Sequence, residues 1–311
     1  MPVAVEAREL SKTYGHLIAV DKLSLEINAG EVFAFLGPNG SGKTTTIRML
    51  CGIITPSSGA GSVLGFDIAT QSESIKARIG YMSQRFSLYE DLTVYENLEF
   101  YAGIYRVGGG RRAERVSELI AMAGLTGRER QLAGQLSGGW KQRLALGCAI
   151  VHQPPLLFLD EPTAGVDPVS RRSFWTLIYG LARGGVTIFL TTHYIDEAEH
   201  ADRVALMVNG RMVALAPPRE LRETGLDGTL WEVDCEPAVE ALELLPGVPG
   251  VRETTLYGTL LHVLVGDDLS PERLAGVLRE RGIQVTAVRE IKPTLEDVFV
   301  SRIRAGDAGS R

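Results

Sequence analysis

The sequence predicts an α/β protein: a parallel β-sheet covered by helices on both faces, a block of helices inserted into it, and a smaller α+β unit after it. Three observations predict this. Short β-rich runs alternate with helix-length segments as far as Pro217-Pro218. Two of the runs, residues 156–159 and 186–190, are almost wholly apolar, as strands buried on both faces must be. Beyond Pro218 the order becomes strand, helix, strand, strand, helix, strand.

Residues 3–9, 24–27 and 31–36 read as strands, the last followed at once by a glycine-rich loop and a helix start. That helix carries Ile47, Leu50 and Cys51 on one face and ends near Gly52, before the turn formers Thr55-Pro-Ser-Ser-Gly59. Strands resume at 61–64 and 79–82. From residue 86 to 152 the texture is helical. Thr93-Val-Tyr-Glu96 is a capping box, in which the two side chains satisfy orphan backbone donors, and it opens a helix through Tyr105. Gly108-Gly-Gly110 interrupts it. Residues 111–123 place Val116, Leu119, Ile120 and Ala123 at helical spacing and stop at Gly124, and Leu144, Cys148 and Val151 mark a third apolar face. After Pro154-Pro155, the two buried strands flank a helix at 169–183.

Residues 219–224 form a connecting helix. The remainder reads as strand 230–235, helix 237–245, hairpin 251–257 and 260–265, helix 271–281 and strand 283–289, which is βαββαβ, the split ferredoxin-like arrangement. The expected organisation is therefore one domain at 1–224 with the helical block 86–152 inserted, an accessory α+β domain at 225–300, and a disordered tail at 301–311.

At 311 residues the chain is long enough for about two domains, and 45% hydrophobic against 23% charged residues excludes a disordered protein. Its longest apolar run, residues 144–151, is far short of the roughly 20 residues a membrane-spanning helix requires. A net charge of −6 argues against a mainly electrostatic nucleic-acid binder. Cys51, Cys148 and Cys235 are widely spaced and lack CxxC pairing, so neither a disulfide framework nor a zinc site is expected, and a reducing compartment fits. The N-terminus carries early charges and no apolar signal segment.

Gly37, Pro38, Asn39, Gly40, Ser41, Gly42, Lys43 and Thr44 fit GxxxxGK[ST] in full, between a strand and a helix. Backbone N–H groups of Gly40, Gly42 and Lys43 would wrap phosphates, because glycine allows close approach and a helix N-terminus is partially positive. Lys43 would reach the β and γ phosphates, Thr44 would offer its hydroxyl to Mg²⁺, and Thr45 would contact the α-phosphate. Farther on, the apolar strand at 156–159 ends in Asp160 and Glu161, at the sheet edge where α/β proteins bind ligands. Asp160 suits a Mg²⁺ partner. Glu161 points to the other side and suits a general base acting on water, a role worth about 10² to 10⁴ in rate.

With Gln84, Leu136-Ser137-Gly138-Gly139, Ala164-Gly-Val-Asp167 and His193, these motifs follow one another in the fixed order of a known family. The chain resembles the ATP-binding subunits of ABC transporters, P-loop NTPases, over about its first 220 residues. The resemblance implies that two such domains pair head to tail, each ATP lying between the phosphate loop of one and the Ser137, Gly138, Gly139 signature of the other. A helix start with a hydroxyl and bare N–H groups is an anion site lacking base and metal, hence half a site. By the same resemblance Tyr14 stacks on adenine, Gln84 senses Mg²⁺ and the nucleotide, His193 contacts the γ-phosphate, and Asp167 communicates across the dimer. Trp140 departs from the pattern, since the family has Gln there and an indole cannot reproduce an amide's paired donor and acceptor. With Ser137, Gly138 and Gly139 intact, binding across the dimer is expected to survive.

The stretch 81–93, the Gly-Gly-Trp variant and Lys292-Pro-Thr-Leu-Glu-Asp-Val-Phe299 look like type-2 exporters of the bacterial drug-resistance kind. There the ATPase is a separate polypeptide docked on a multi-span permease. What this implies is a Mg²⁺-dependent ATP hydrolase, homodimeric, peripheral on the cytoplasmic face of the cell membrane, driving efflux of drugs or other small molecules. The alternative is a soluble ABC ATPase acting on ribosomes or nucleic acid. Such proteins commonly carry two ATP domains or a long coiled-coil insertion, whereas this chain has one phosphate loop, no sustained heptads and an acidic balance.

Overall fold

The computed structural model describes residues 2–84, 87–266 and 268–308. The chain divides into two units, Met1–Leu215 and Ala216–Arg311. In chain order the first contains β1 (Val3–Tyr14), β2 (Leu17–Asn28), β3 (Val32–Leu36), α1 (Lys43–Leu50), β4 (Ser58–Val63), β5 (Phe66–Asp67), α2 (Ser72–Lys76) and β6 (Ile79–Met82). The inserted helices α3 (Val94–Ile104), α4 (Gly109–Met122) and α5 (Gly138–Ala149) follow. The unit closes with β7 (Leu156–Asp160), α6 (Pro168–Arg183), β8 (Thr187–Thr192), α7 (Ile195–Ala198), β9 (Arg203–Val208) and β10 (Arg211–Ala216), whose last residue begins the second unit.

A six-stranded sheet runs in the order β10-β9-β3-β8-β7-β6, and its pairs from β9 to β6 are parallel. Every residue of β3, β7 and β8 is buried, which is why their middles read as apolar runs, while the polar Asp160, Thr191 and Thr192 fall at the C-terminal ends. Phe189 of β8 packs between Phe33 and Phe158 of the neighbouring strands, with ring centroids 5.4 Å away in both cases. A second, antiparallel sheet, β2-β1-β4-β5, covers one side. Val5, Leu10 and Leu25 from it share a core with the phenylalanines and with Ile47 and Leu50 of α1.

β1 and β2 are twelve residues each, longer than the sequence suggests. Glu9 and Lys22 sit at φ 47 and 48, and the register of the pair shifts between Ala7 and Leu10. Bulges of this kind break the in–out alternation that marks a strand in sequence.

The capping box of α3 forms as the sequence predicts, Glu96 N–H to Thr93 Oγ1 at 3.2 Å and Thr93 N–H to Glu96 Oε2 at 2.8 Å. Buried Asn97 adds a clamp, donating to the carbonyls of Tyr89 and Leu92 and accepting the Tyr89 N–H. Arg85 and Phe86, where the helical block is expected to begin, lie outside the described residues.

The second unit contains α8 (Pro218–Thr224), β11 (Thr229–Glu236), α9 (Ala238–Leu244), β12 (Val251–Tyr257), β13 (Leu260–Val265), α10 (Pro271–Glu280), β14 (Gln284–Glu290) and α11 (Leu295–Ala308). Its sheet, β12-β13-β11-β14, is antiparallel throughout, the strand order of a ferredoxin-like βαββαβ unit. Trp231, Val233, Leu261, Val263, Leu274 and Leu278 fill its core.

Two expectations are corrected here. The division falls at 215/216 rather than 224/225, because α8 belongs to the second unit: a Cβ on Gly225 would lie 2.6 Å from Val298 of α11. Residues 301–308 are the continuation of α11 rather than a disordered tail. That helix is anchored by buried Leu295, Val298 and Phe299 and by Asp297, which accepts from Thr294 at its start and pairs with His262 at 2.7 Å. Residues 309–311 lie outside the described residues.

Candidate functional site

β3 delivers the chain into the glycine loop, and Gly40 and Gly42 adopt φ 81 and 104, which side-chain-bearing residues avoid. Space is equally restrictive. A Cβ on Gly42 would lie 2.3 Å from Ala19 O, and one on Gly37 2.4 Å from Met207 O. Lys43 is 4% exposed. Its ammonium donates to Gly37 O at 2.7 Å and Pro38 O at 3.0 Å and lies 3.4 Å from Glu161 Oε1. Burial pulls its pKa below the usual lysine value, and Glu161 opposes that. The result is one cation held at the mouth of a loop of backbone donors.

Asp160, the last residue of β7, is buried. Its Oδ1 accepts from Thr44 Oγ1 at 3.0 Å and Thr191 Oγ1 at 2.8 Å, while its Oδ2 is buried without a partner. Burial pushes this carboxyl above the ordinary aspartate range, the two hydroxyls acting against it. A partnerless carboxylate oxygen beside a threonine hydroxyl is the hard-oxygen donor set that Mg²⁺ takes, so Thr44 and Asp160 fit the ion.

Glu161 sits at φ 48, left-handed for a non-glycine residue, a conformation costing about 1–3 kcal/mol that the surroundings must impose. Its N–H bonds to Thr191 O at 3.1 Å and Thr191 Oγ1 at 3.0 Å. The carboxylate, 7% exposed, meets Lys43 on Oε1. On Oε2 it accepts from Gln84 Nε2 at 3.0 Å, and His193 Nδ1 approaches to 3.3 Å but is out of hydrogen-bond alignment. Lys43, Gln84 and His193, distant in sequence, thus converge on the Glu161 carboxylate. Gln84, expected to sense Mg²⁺, holds Glu161 rather than Asp160.

A cleft of about 530 Å³ joins Lys43, Gln84 and Glu161 to Asn39, Gly40, Thr44, Thr45 and Tyr14, with His193 behind Glu161 and outside its lining. Tyr14 is 49% exposed on its rim, beside Leu17, Ile18 and the Asn209-Gly210 turn, none of which the sequence singles out. Exposed apolar and aromatic side chains beside a polar phosphate loop make a surface for a planar base. The lining contains no residue of the signature.

Ser137 caps the start of α5 with its hydroxyl free of any cap bond, and it and Gly138 are exposed. Gly139 is buried against α6, where a Cβ would lie 2.4 Å from Ser170 Oγ. Asp167 caps α6, accepting from Val169 N–H at 3.1 Å and Ser170 N–H at 3.0 Å; Ser170 lowers its pKa. Within α5, Gln142 donates to Pro162 O at 2.8 Å, tying the signature helix to the residue after Glu161. Trp140 packs between the guanidinium groups of Arg128 and Arg143, 5.1 and 4.9 Å from its ring. Thr191 and Gln142 carry no motif that sequence reasoning would find.

Residues 20–164 match the family model described as ABC transporter. The chain is 36% identical over 305 residues to the daunorubicin resistance ATP-binding protein DrrA3 of Streptomyces coeruleorubidus, spanning 96% of this chain and 95% of that protein. It is 44% identical over 218 residues to the probable multidrug ABC transporter ATP-binding protein YbhF of Escherichia coli, which is 70% of this chain but 38% of that longer relative. Among solved structures, the dimeric ATP-binding cassette MJ0796 bound to ADP and Pi superposes with a TM-score of 0.63 at 28% identity, covering 68% of this chain and 98% of that one.

Proposed function

Because the chain belongs to the ABC transporter ATP-binding family, we propose that it binds MgATP in this cleft and hydrolyses it to drive an exporter whose membrane-spanning part is a separate polypeptide. The observation that carries the proposal is the Glu161 carboxylate, held by Gln84, Lys43 and an imposed left-handed backbone at the edge of the phosphate loop.

In this reading the backbone N–H groups of residues 40–43 and the Lys43 ammonium bind the phosphates, and Tyr14, Leu17 and Ile18 receive the base. Thr44 and Asp160 hold Mg²⁺, which when bound neutralises phosphate charge. Glu161 takes a proton from the attacking water at Oε2, oriented by Gln84. His193, 3.3 Å from that oxygen, would donate to the phosphoryl group that receives the attack, the role the family resemblance gives it. Ser137, Gly138 and Gly139 lie outside their own chain's cleft. A second copy, turned head to tail, would bring them to it and complete two equal sites.

Among the described residues no helix is long and apolar enough to cross a membrane, in keeping with a peripheral subunit on the cytoplasmic face of the cell membrane. The inserted helical block carries exposed Tyr89, Phe100 and Ile104, a face suited to a permease. The relatives' names, daunorubicin resistance and multidrug transport, support a small-molecule cargo. Glu161→Gln tests the chemistry: steady-state hydrolysis should fall by about 10²-fold or more while ATP-dependent pairing persists. Full turnover in that variant would overturn the assignment. Mass spectrometry of what co-purifies from native membranes tests the assembly. A stoichiometric multi-span protein is expected, whereas ribosomal proteins or nucleic acid alone would move the function to the soluble class.

A further inference from the structure

Glu197 on α7 is 1% exposed and lies away from the nucleotide cleft. One carboxylate oxygen accepts the hydroxyl of Thr163, two residues after Glu161. The other accepts the hydroxyl of Thr192, the residue before His193, at 2.7 Å. Thr192 Oγ1 in turn accepts the N–H of Tyr194 at 2.9 Å, so the two residues flanking His193 are tied to each other through the hydroxyl that Glu197 holds. Arg171 of α6 lies 3.6 Å from Oε1 and covers the Tyr194 ring at 3.9 Å.

A single buried carboxylate thus spans the loop leaving Glu161 and the turn presenting His193. Its burial and its bonds make it a strut, because a buried carboxylate with both oxygens engaged has one geometry that satisfies it. The two side chains it braces are those whose separation is 3.3 Å at Glu161 Oε2. We propose that Glu197 is a positioning residue for hydrolysis, holding His193 and Glu161 in register without touching nucleotide. The inference rests on the reading of Glu161 as general base. Displacing a reacting group by about 1 Å costs on the order of 10²-fold in rate, whereas the tie from this turn to the glycine loop, Gly37 N–H to Thr192 O at 3.3 Å, is made by backbone and persists when the side chains of Thr192 and Glu197 are changed.

The experiment compares MgATP hydrolysis by the full chain carrying Glu197→Gln, Thr192→Val, the two together, and Glu161→Gln. Glu197→Gln keeps the shape but not the second acceptor, and Thr192→Val removes the hydroxyl at nearly constant volume. Each is expected to lower kcat by about 10- to 100-fold with KM changed by less than about threefold, and ATP-dependent pairing on size exclusion is retained. The double variant should be no slower than Glu197→Gln alone, since both changes cut the same strut. Multiplying effects, a KM rise matching the kcat loss, or kcat within about twofold of the parent would overturn the proposal. If Glu197→Gln fails to fold, Thr192→Val decides by the same criteria. A parent chain without hydrolysis, or a Glu161→Gln variant as active as the parent, sinks the general-base reading and this inference with it. Silence in Glu161→Gln beside full speed in Glu197→Gln sinks the inference alone.

Discussion

The hydroxyl of Thr191 lies 2.8 Å from Oδ1 of Asp160 and, through its second interaction, accepts the backbone N–H of Glu161 at 3.0 Å. One side chain from β8 therefore orients the proposed metal ligand and clamps the strained backbone of the proposed base. Thr191→Val keeps the volume and removes both bonds, leaving Asp160 with Thr44 alone. A lost bond to a charged group is worth about 1.5–3 kcal/mol, so the variant should require roughly 10- to 100-fold more Mg²⁺ for half-maximal hydrolysis, with Thr191→Ser close to the parent. A Mg²⁺ titration at fixed ATP reads this directly. The demand should also steepen on the acid side, because burial raises the Asp160 pKa. Falling pH protonates a raised carboxyl sooner than an ordinary one, and the protonated form is a poor ligand.

Gly139→Ala separates fold from pairing. A Cβ there would meet Ser170 at 2.4 Å from Oγ and 2.6 Å from its Cβ, whereas one on Gly138 meets nothing within 4 Å. The start of α5 must then shift away from α6, displacing the signature while the phosphate loop stays in place. Nucleotide binding by the single chain should be unchanged and ATP-dependent dimerisation lost, as read by equilibrium dialysis and light scattering. Ser170→Gly in the same chain should restore part of the pairing by opening the space. Failure to restore any would mean that the clash is not the cause.

What the sequence made legible follows from locality. Gly37 to Thr44 is a contiguous motif whose strand and helix flanks are themselves readable, and Asp160-Glu161 ends a run whose apolarity marks a doubly covered strand. The ferredoxin-like order is legible because β11 and β14 alternate and β13 is apolar but for His262, while β12, which does neither, is marked by the Gly258 turn that pairs it with β13. The long β1–β2 pairing was hidden by Glu9 and Lys22, whose positive φ values break the alternation. Thr191, Gln142 and Glu197 were hidden for another reason. Their partners lie 31, 20 and 34 residues away, and no spacing within one element encodes them. The helix over 301–308 was missed because its stabilising face, Leu295, Val298 and Phe299, belongs to the preceding motif.

His152 should give the chain an acid-sensitive stability. Its ring stacks on Tyr105 at 3.6 Å and donates from Nε2 to Ile79 O at 3.0 Å, leaving Nδ1 buried without a partner. Burial lowers its pKa from 6.5 to about 4. The unfolded chain therefore binds a proton that the folded chain refuses, so stability falls as pH drops from 6.5 towards 4 and is fully present above that window. His152→Gln retains a donor for Ile79 O and removes the titration. The slope of melting temperature against pH should become shallower inside the window and stay unchanged above pH 7, apart from a uniform offset for the lost ring stack. An identical slope in parent and variant would assign the acid sensitivity elsewhere.

Restoring the family's glutamine at Trp140 should cost stability and leave nucleotide affinity of the single chain where it was. The indole lies 5.1 Å from Arg128 and 4.9 Å from Arg143, and the Arg143 Nε is buried with no hydrogen-bond partner. A cation facing a ring contributes about 0.5–1 kcal/mol at exposed sites and more when desolvated. Two such contacts and a half-buried ring set the expected loss for Trp140→Gln at about 1–2 kcal/mol, a melting shift of roughly 2–8 °C for a unit of this size. Because the ring also packs within 3.5 Å of a Cβ placed on Gly124, it stitches the first turn of α5 to the turn after α4. Arg143→Gln should lose part of the same energy, and the double variant less than the sum, by the amount of the ring–guanidinium coupling. Additive losses in that cycle would show that Trp140 acts through its buried area alone.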